Sequence, residues 1–114
     1  MDEIQADRIG ATKRFAEEYG VTVLLKGACS VIADPVSGEV TVNSTGNAAL
    51  AKGGSGDVLT GIIAAMLAQG LPPYIAASAG AYCHGYAADV LTKTMSPASI
   101  VASDIIEALP RVFV

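Results

Sequence analysis

The 114-residue chain predicts an α/β layered fold: a helix, a buried strand, a β-hairpin and packed helices. Three observations carry that prediction. Apolar residues recur at helical spacing over residues 3–19, and a β-branched run follows at once. Beyond residue 55, two long apolar stretches have the length and the flanking Gly and Pro residues of helices. A helix feeding a buried strand, with further helices packed alongside, is an α/β layer.

In residues 3–19, Ile4, Ile9 and Phe15, with Ala6, Ala11 and Ala16, alternate with charged positions until Gly20 ends the helix. "VTVLLKG" reads as a strand of a sheet interior that ends at Lys26-Gly27. "CSVIAD" and "EVTVN" flank the turn from Pro35 to Gly38 and form a hairpin. The polar loop "STGNAALAKGGS" leads to a helix from about Gly56 to Gln69, which Gly70 ends. Pro72-Pro73 opens a second helix within "LPPYIAASAGAYCHGYAADVL". Ser103-Asp104 caps a last, short helix that ends near Pro110.

Composition narrows the function. A chain that is 52% hydrophobic and 16% charged is not disordered, and at this size one domain buries roughly 65% of its unfolded surface. A net charge of −4 speaks against nucleic acid or an anionic membrane as partner. Backbone N–H groups and a few lysines must then hold any anionic ligand. The apolar excess and the small number of strands imply that other protein covers part of the surface. Either a second subunit or the remainder of a larger α/β fold would do so, with this chain as its C-terminal part. Cys29 and Cys83 lack metal-ligand spacing and read as reduced, cytosolic thiols. "MDEIQADRIG" carries no apolar signal segment, and the run from Val58 to Ala68 is too short to span a bilayer.

The stretch Gly53-Gly54-Ser55-Gly56-Asp57 bears the chemistry. A glycine loop opening a helix leaves unpaired N–H groups at the positive end of the helix dipole, which is an anion site. Asp57 could there take a proton from a hydroxyl attacking a bound phosphoryl group. The same residues also read as a helix start capped by Ser55, with Asp57 complementing the dipole. The stretch is neither a Walker loop nor a dinucleotide fingerprint. Around it, the loop from Asn43 to Lys52 is long and polar. Lys26 stands at a strand end, the edge where open parallel sheets bind ligands, or is a solvated lysine. His84 reads as a packed, hydrogen-bonded helix residue, and Asp89 as its partner or as solvent-facing.

Taken together, K-G-A-x-S/T (Lys26 to Ser30), N-x-T-G-N (Asn43 to Asn47), G-G-S-G-D-V-L-x-G (Gly53 to Gly61) and H-G (His84-Gly85) make a specific combination. It resembles the bacterial ADP-dependent NAD(P)H-hydrate dehydratase family of the ribokinase-like superfamily, over essentially the whole chain. The resemblance implies a partial ribokinase-like layered fold, with residues 1–114 as the C-terminal part of the catalytic domain. It implies dehydration of the S epimer of hydrated NADH or NADPH, coupled to cleavage of ADP to AMP and phosphate. Phosphate transferred to the ring hydroxyl makes a good leaving group, and elimination follows.

Residue by residue, Lys26, Gly27, Ala28, Cys29 and Ser30 match a first nucleotide-binding segment. Asn47, Ala48, Ala49, Leu50, Ala51, Lys52, Gly53, Gly54, Ser55 and Gly56 match a second, which contains the anion hole. Asp57 matches the base beside the hydrated cofactor. Mg2+ would offset the phosphate charge without a protein metal site. The resemblance further implies a cytoplasmic location and small-molecule nucleotide substrates. A homo-oligomer or the remainder of the same domain would be the protein partner. The chain departs from the family in "AALAK" after Asn47, where many relatives have Pro-Gly-Met-Ala-Thr, and in its length, since the family's catalytic domain is much longer. Two alternatives share the anion hole: an ATP-dependent kinase of a sugar or vitamin precursor, and a non-catalytic nucleotide-binding fragment.

Overall fold

A computed structural model describes residues 7–51 and 53–112. The first helix, α1, spans Arg8–Tyr19. Asp7 caps it by accepting a 2.9 Å hydrogen bond from the Gly10 N–H, and Gly20 closes it with φ 65°, as its sequence position predicts. The predicted start at residue 3 falls outside the described residues.

Three short strands follow: β1 (Val23–Leu25), β2 (Val31–Ala33) and β3 (Val40–Val42). They form one sheet in the order β1-β2-β3 with both pairs antiparallel, Val23 opposite Ala33 and Val31 opposite Val42. Among the described residues, β1 is half-buried and pairs with β2, whereas all three residues of β2 are buried. Lys26 follows the end of β1. Successive strand residues face opposite sides, so a strand buried at every position has cover on both faces. On one side α1 packs against β1 and β2. On the other, Ile32 joins Leu59, Ala77 and Ala81 in a core cluster.

That second layer consists of α2 (Ser55–Ala68) and α3 (Pro73–Leu91), which pack on each other, and α4 (Ala102–Val112) packs on α3. Short 3-10 turns occupy Ala48–Leu50 and Pro97–Ser99. A second core joins Ala49, Ala87, Ala88, Leu91, Ile100, Ile105 and Ala108. Two details of α4 differ from expectation. Its first turn is closed by Asp104, whose Oδ2 accepts from the Val101 N–H at 2.9 Å. It also runs through Pro110 to Val112, since the exposed Pro110 lies in the last turn and costs the helix one donor there.

The buried face of α3 is made almost wholly of Ala and Gly, and this lets another chain segment lie close. A Cβ at Gly85 would collide with the Thr45 hydroxyl and backbone, so the loop after β3 crosses α3 at a residue with no side chain. The molecule is flattened, 42 × 36 × 19 Å, which leaves Phe15, Tyr19, Val101 and Ile106 about half exposed. Among the described residues, no helix is long and apolar enough to cross a membrane.

Candidate nucleotide site

The β1–β2 loop, the 43–51 loop, the N-terminus of α2 and the middle of α3 surround a cleft of about 730 Å³, a size suited to a small-molecule ligand. Its geometry begins at the mouth of α2. The cap residue is Gly54, at φ 88°, a left-handed conformation that glycine takes without strain, and no side chain caps the helix. Ser55 is instead the first helical residue. It is buried, with its hydroxyl 3.1 Å from His84 Nε2. The reading of Ser55 as an ordinary cap is therefore corrected, since a histidine on α3 has taken the hydroxyl. The N–H groups of Ser55, Gly56 and Asp57 have no partner within the helix, the first helical bond being Val58 N–H to the Gly54 carbonyl.

Lys26 reaches this mouth. A Cβ built on Gly56 would lie 2.6 Å from Lys26 Nζ, so the ammonium rests against the first turn of α2 where a side chain would otherwise be. Among the described residues, no carboxylate forms an ion pair with Lys26. An ammonium and the positive end of a helix dipole repel each other, and an anion between them relieves that repulsion. Burial holds the His84 imidazole below its usual value; a hydrogen bond to the Ser55 backbone opposes this and the Lys26 charge reinforces it.

The second segment is fastened to α3. Asn47 caps the 3-10 turn, its Oδ1 accepting from the Ala49 N–H at 2.9 Å. Its Nδ2 donates to Asp89 Oδ1 at 2.9 Å and to Thr92 Oγ1 at 3.3 Å. Asp89 Oδ2 accepts from the Gly46 N–H at 3.0 Å. Asp89 is therefore neither a partner of His84 nor a solvent-facing residue, but an anchor for the loop. Asn43 Nδ2 donates to the Ala81 carbonyl at 3.1 Å, and Thr45 Oγ1 to the Tyr82 carbonyl at 2.9 Å.

Most of the predicted site residues come together. Lys26, Gly27, Ala28, Ser30, Asn47, Ala48, Leu50, Ala51 and Ser55 line the cleft, and Gly56 sits under the Lys26 ammonium. Others stand apart. Ala49 is 2% exposed and packs into the core against α3 and α4. Cys29, Gly53 and Gly54 are exposed and do not line it, and Asp57 is exposed on the first turn of α2, beyond the lining residues. Lys52 lies outside the described residues. Cys29 and Cys83 are both free thiols, and partial burial pushes the Cys83 thiol up.

Leu59, Ala81 and His84 also line the cleft. Leu59 and Ala81 carry no chemical signal in sequence, and nothing short of the packing identifies them. Among the described residues, no group of three or more His, Cys, Asp or Glu side chains could hold a metal ion.

With this geometry in hand, comparison with known proteins is direct. A family model described as NAD(P)H-hydrate dehydratase matches residues 1–111. The ADP-dependent (S)-NAD(P)H-hydrate dehydratase of Neisseria meningitidis serogroup B is 47% identical over 107 residues, 93% of this chain and 36% of the relative. The bifunctional NAD(P)H-hydrate repair enzyme Nnr of Moorella thermoacetica is 46% identical over 110 residues, 96% of this chain and 21% of the relative. Among solved structures, the ADP/ATP-dependent NAD(P)H-hydrate dehydratase of Bacillus subtilis, co-crystallised with ATP and Mg2+, superposes with a TM-score of 0.92. It is 39% identical, with 98% of this chain and 40% of that one covered. A ribokinase-like superfamily protein of Enterococcus faecalis superposes with a TM-score of 0.76 at 38% identity, covering 90% of this chain and 35% of that one. The chain thus spans well under half the length of each of these relatives.

Proposed function

Because the chain belongs to the NAD(P)H-hydrate dehydratase family, we propose that it supplies the nucleotide-binding part of an ADP-dependent dehydratase acting on the S epimer of hydrated NADH or NADPH. In this reading, residues 1–114 form the C-terminal part of the catalytic domain. The observation that carries the proposal is the mouth of α2, whose unpaired N–H groups and neighbouring Lys26 ammonium make a site for phosphate.

The phosphates of ADP rest on the N–H groups of the first turn of α2, and Lys26 neutralises their charge. Ser55, tied back to His84, leaves that space open. Gly27, Ala28 and Ser30 line the opposite wall, with Asn47 to Ala51 above. Asp57, exposed at the rim, takes the proton of the ring hydroxyl as its oxygen attacks the terminal phosphorus of ADP. AMP leaves as the new oxygen–phosphorus bond forms. The carbon–oxygen bond of the phosphorylated hydrate then breaks, releasing phosphate, and loss of a ring proton restores the reduced nicotinamide. Magnesium carried on the phosphates would offset further negative charge.

The exposed apolar residues, Phe15, Tyr19, Val101 and Ile106 among them, support a further part of the reading: another copy, or the rest of the same domain, covers them. Two free thiols, one exposed, fit a reducing cytoplasm.

The test measures ADP affinity and hydrate consumption by the chain and two variants. Lys26→Ala is expected to weaken ADP binding about tenfold or more. Asp57→Ala is expected to abolish consumption of the hydrate while ADP still binds. A chain that binds no adenine nucleotide overturns the reading. ADP binding without turnover leaves the chain as a nucleotide-binding portion alone, a second reading favoured by the place of Asp57 outside the cleft lining.

A further inference from the structure

The β1–β2 loop, which carries Lys26 into the cleft, is held from behind by a residue that no motif includes. Arg8, at the start of α1, donates from Nη1 to the Cys29 carbonyl at 2.9 Å. Its Nη2 donates to the carbonyls of Leu25 at 3.2 Å and Lys26 at 3.0 Å. One guanidinium therefore spans both ends of the loop. Its plane lies over Gly27, where a Cβ would collide with Nη2 and Cζ. Asp7, its neighbour in sequence, is engaged elsewhere: it caps α1 through the Gly10 N–H and pairs with Arg14 at 3.6 Å.

We propose that Arg8 is a positioning residue for nucleotide binding, holding three loop carbonyls on its own side so that the donors of the loop face the cleft. The proposal rests on the nucleotide reading above. Every described peptide bond is trans, and in a trans peptide the N–H points opposite to the carbonyl. With the carbonyls of Lys26 and Cys29 turned to Arg8, the N–H groups of Gly27 and Ser30 are turned away from it, and both residues line the cleft. The same restraint fixes where the Lys26 side chain leaves the backbone, and so its reach to Gly56. The ligand chemistry that such a wall recognises is the anionic part of a nucleoside diphosphate. A lysine cannot replace Arg8, because a single ammonium lacks the planar fork that reaches both ends of the loop.

The experiment is a double-substitution cycle on the full 114-residue chain, read by ADP titration calorimetry and by thermal melting. Arg8→Ala and Arg8→Lys are each expected to weaken ADP binding about tenfold at a temperature where the chain is folded. Gly27→Ala, which displaces the guanidinium, is expected to weaken binding alone and to add nothing in the Arg8→Ala background. If Arg8→Ala does not fold, Arg8→Lys and Gly27→Ala decide the matter. A folded Arg8→Lys chain that binds ADP as tightly as the parent overturns the positioning role, as does full additivity in the cycle. Either result leaves the nucleotide reading standing. Failure of the parent chain to bind ADP overturns the nucleotide reading, and the role of Arg8 with it.

Discussion

The Ser55 hydroxyl and His84 Nε2 lie 3.1 Å apart, both residues buried, joining the first turn of α2 to the middle of α3. This contact decides where the Ser55 hydroxyl goes. A serine at a helix start normally turns its hydroxyl back to the N–H groups of the first turn. Here that hydroxyl is used inside the protein, and no side chain caps the helix.

The same contact predicts a pH dependence. Burial holds His84 below its usual value of 6.5 in the folded chain, so near and below that pH the unfolded chain binds a proton that the folded chain refuses. Stability then rises with pH, being fully present above the unfolded value and lost as pH falls toward the folded one. Melting temperature should drop on acidification from neutrality, and more steeply in the parent than in His84→Gln, which keeps a hydrogen-bonding side chain without titrating. An equal drop in both chains would show that His84 is not responsible.

Gly56→Ala separates the site from the fold. The Cβ meets only the far end of the Lys26 side chain, which swings away at little cost, and alanine favours a helix over glycine by up to about 1 kcal/mol. Thermal stability should hold or rise while ADP affinity falls about tenfold, as expected for losing one charge-assisted contact. Unchanged affinity in calorimetry would mean that the Lys26 ammonium does not act at this mouth.

Asp89→Ala tests the loop anchor. The substitution leaves the Gly46 N–H without its acceptor and the Asn47 amide with Thr92 Oγ1 alone. Each is partly buried, so urea unfolding should show a loss of about 1–3 kcal/mol. A loss below about 0.5 kcal/mol, the ordinary size for an exposed surface change, would exclude the anchoring role.

The Cys29 thiol offers a check that needs no substitution. It is exposed, within the loop that Arg8 holds and beside the cleft-lining Ala28 and Ser30. Saturating ADP should slow its alkylation severalfold, as followed by mass spectrometry, while Cys83, half-buried with its thiol pushed up, reacts slowly either way. Alkylation of Cys29 at the same rate with and without ADP would place the nucleotide elsewhere.

Helix ends were legible in the sequence because their signals are local. Gly20 takes φ 65° and Pro72 precedes a proline-led first turn whatever packs around them. The two segments of the cleft, Lys26 to Ser30 and Asn47 to Gly56, were legible through the family resemblance, and packing decided which of their residues line it: Ala49 turns into the core, and Cys29, Gly53 and Gly54 lie outside the lining. Arg8 was not, since its three acceptors lie 17 to 21 residues away and nothing in its own surroundings distinguishes it from a surface arginine.

The sequence by itself determined an α/β chain with four helices and a hairpin, and it marked the stretch around Ser55 as either a capped helix start or a phosphate cradle. Tertiary structure decided which strand is central and where the Ser55 hydroxyl goes. β1 and β2 are both apolar, and it is the pairing of β2 with β1 on one edge and β3 on the other that places it at the centre of the sheet and buries all three of its residues. A serine hydroxyl can serve its own helix or a distant partner with similar energy, and the choice was made by His84, 29 residues away, which the packing of α3 on α2 brings into reach.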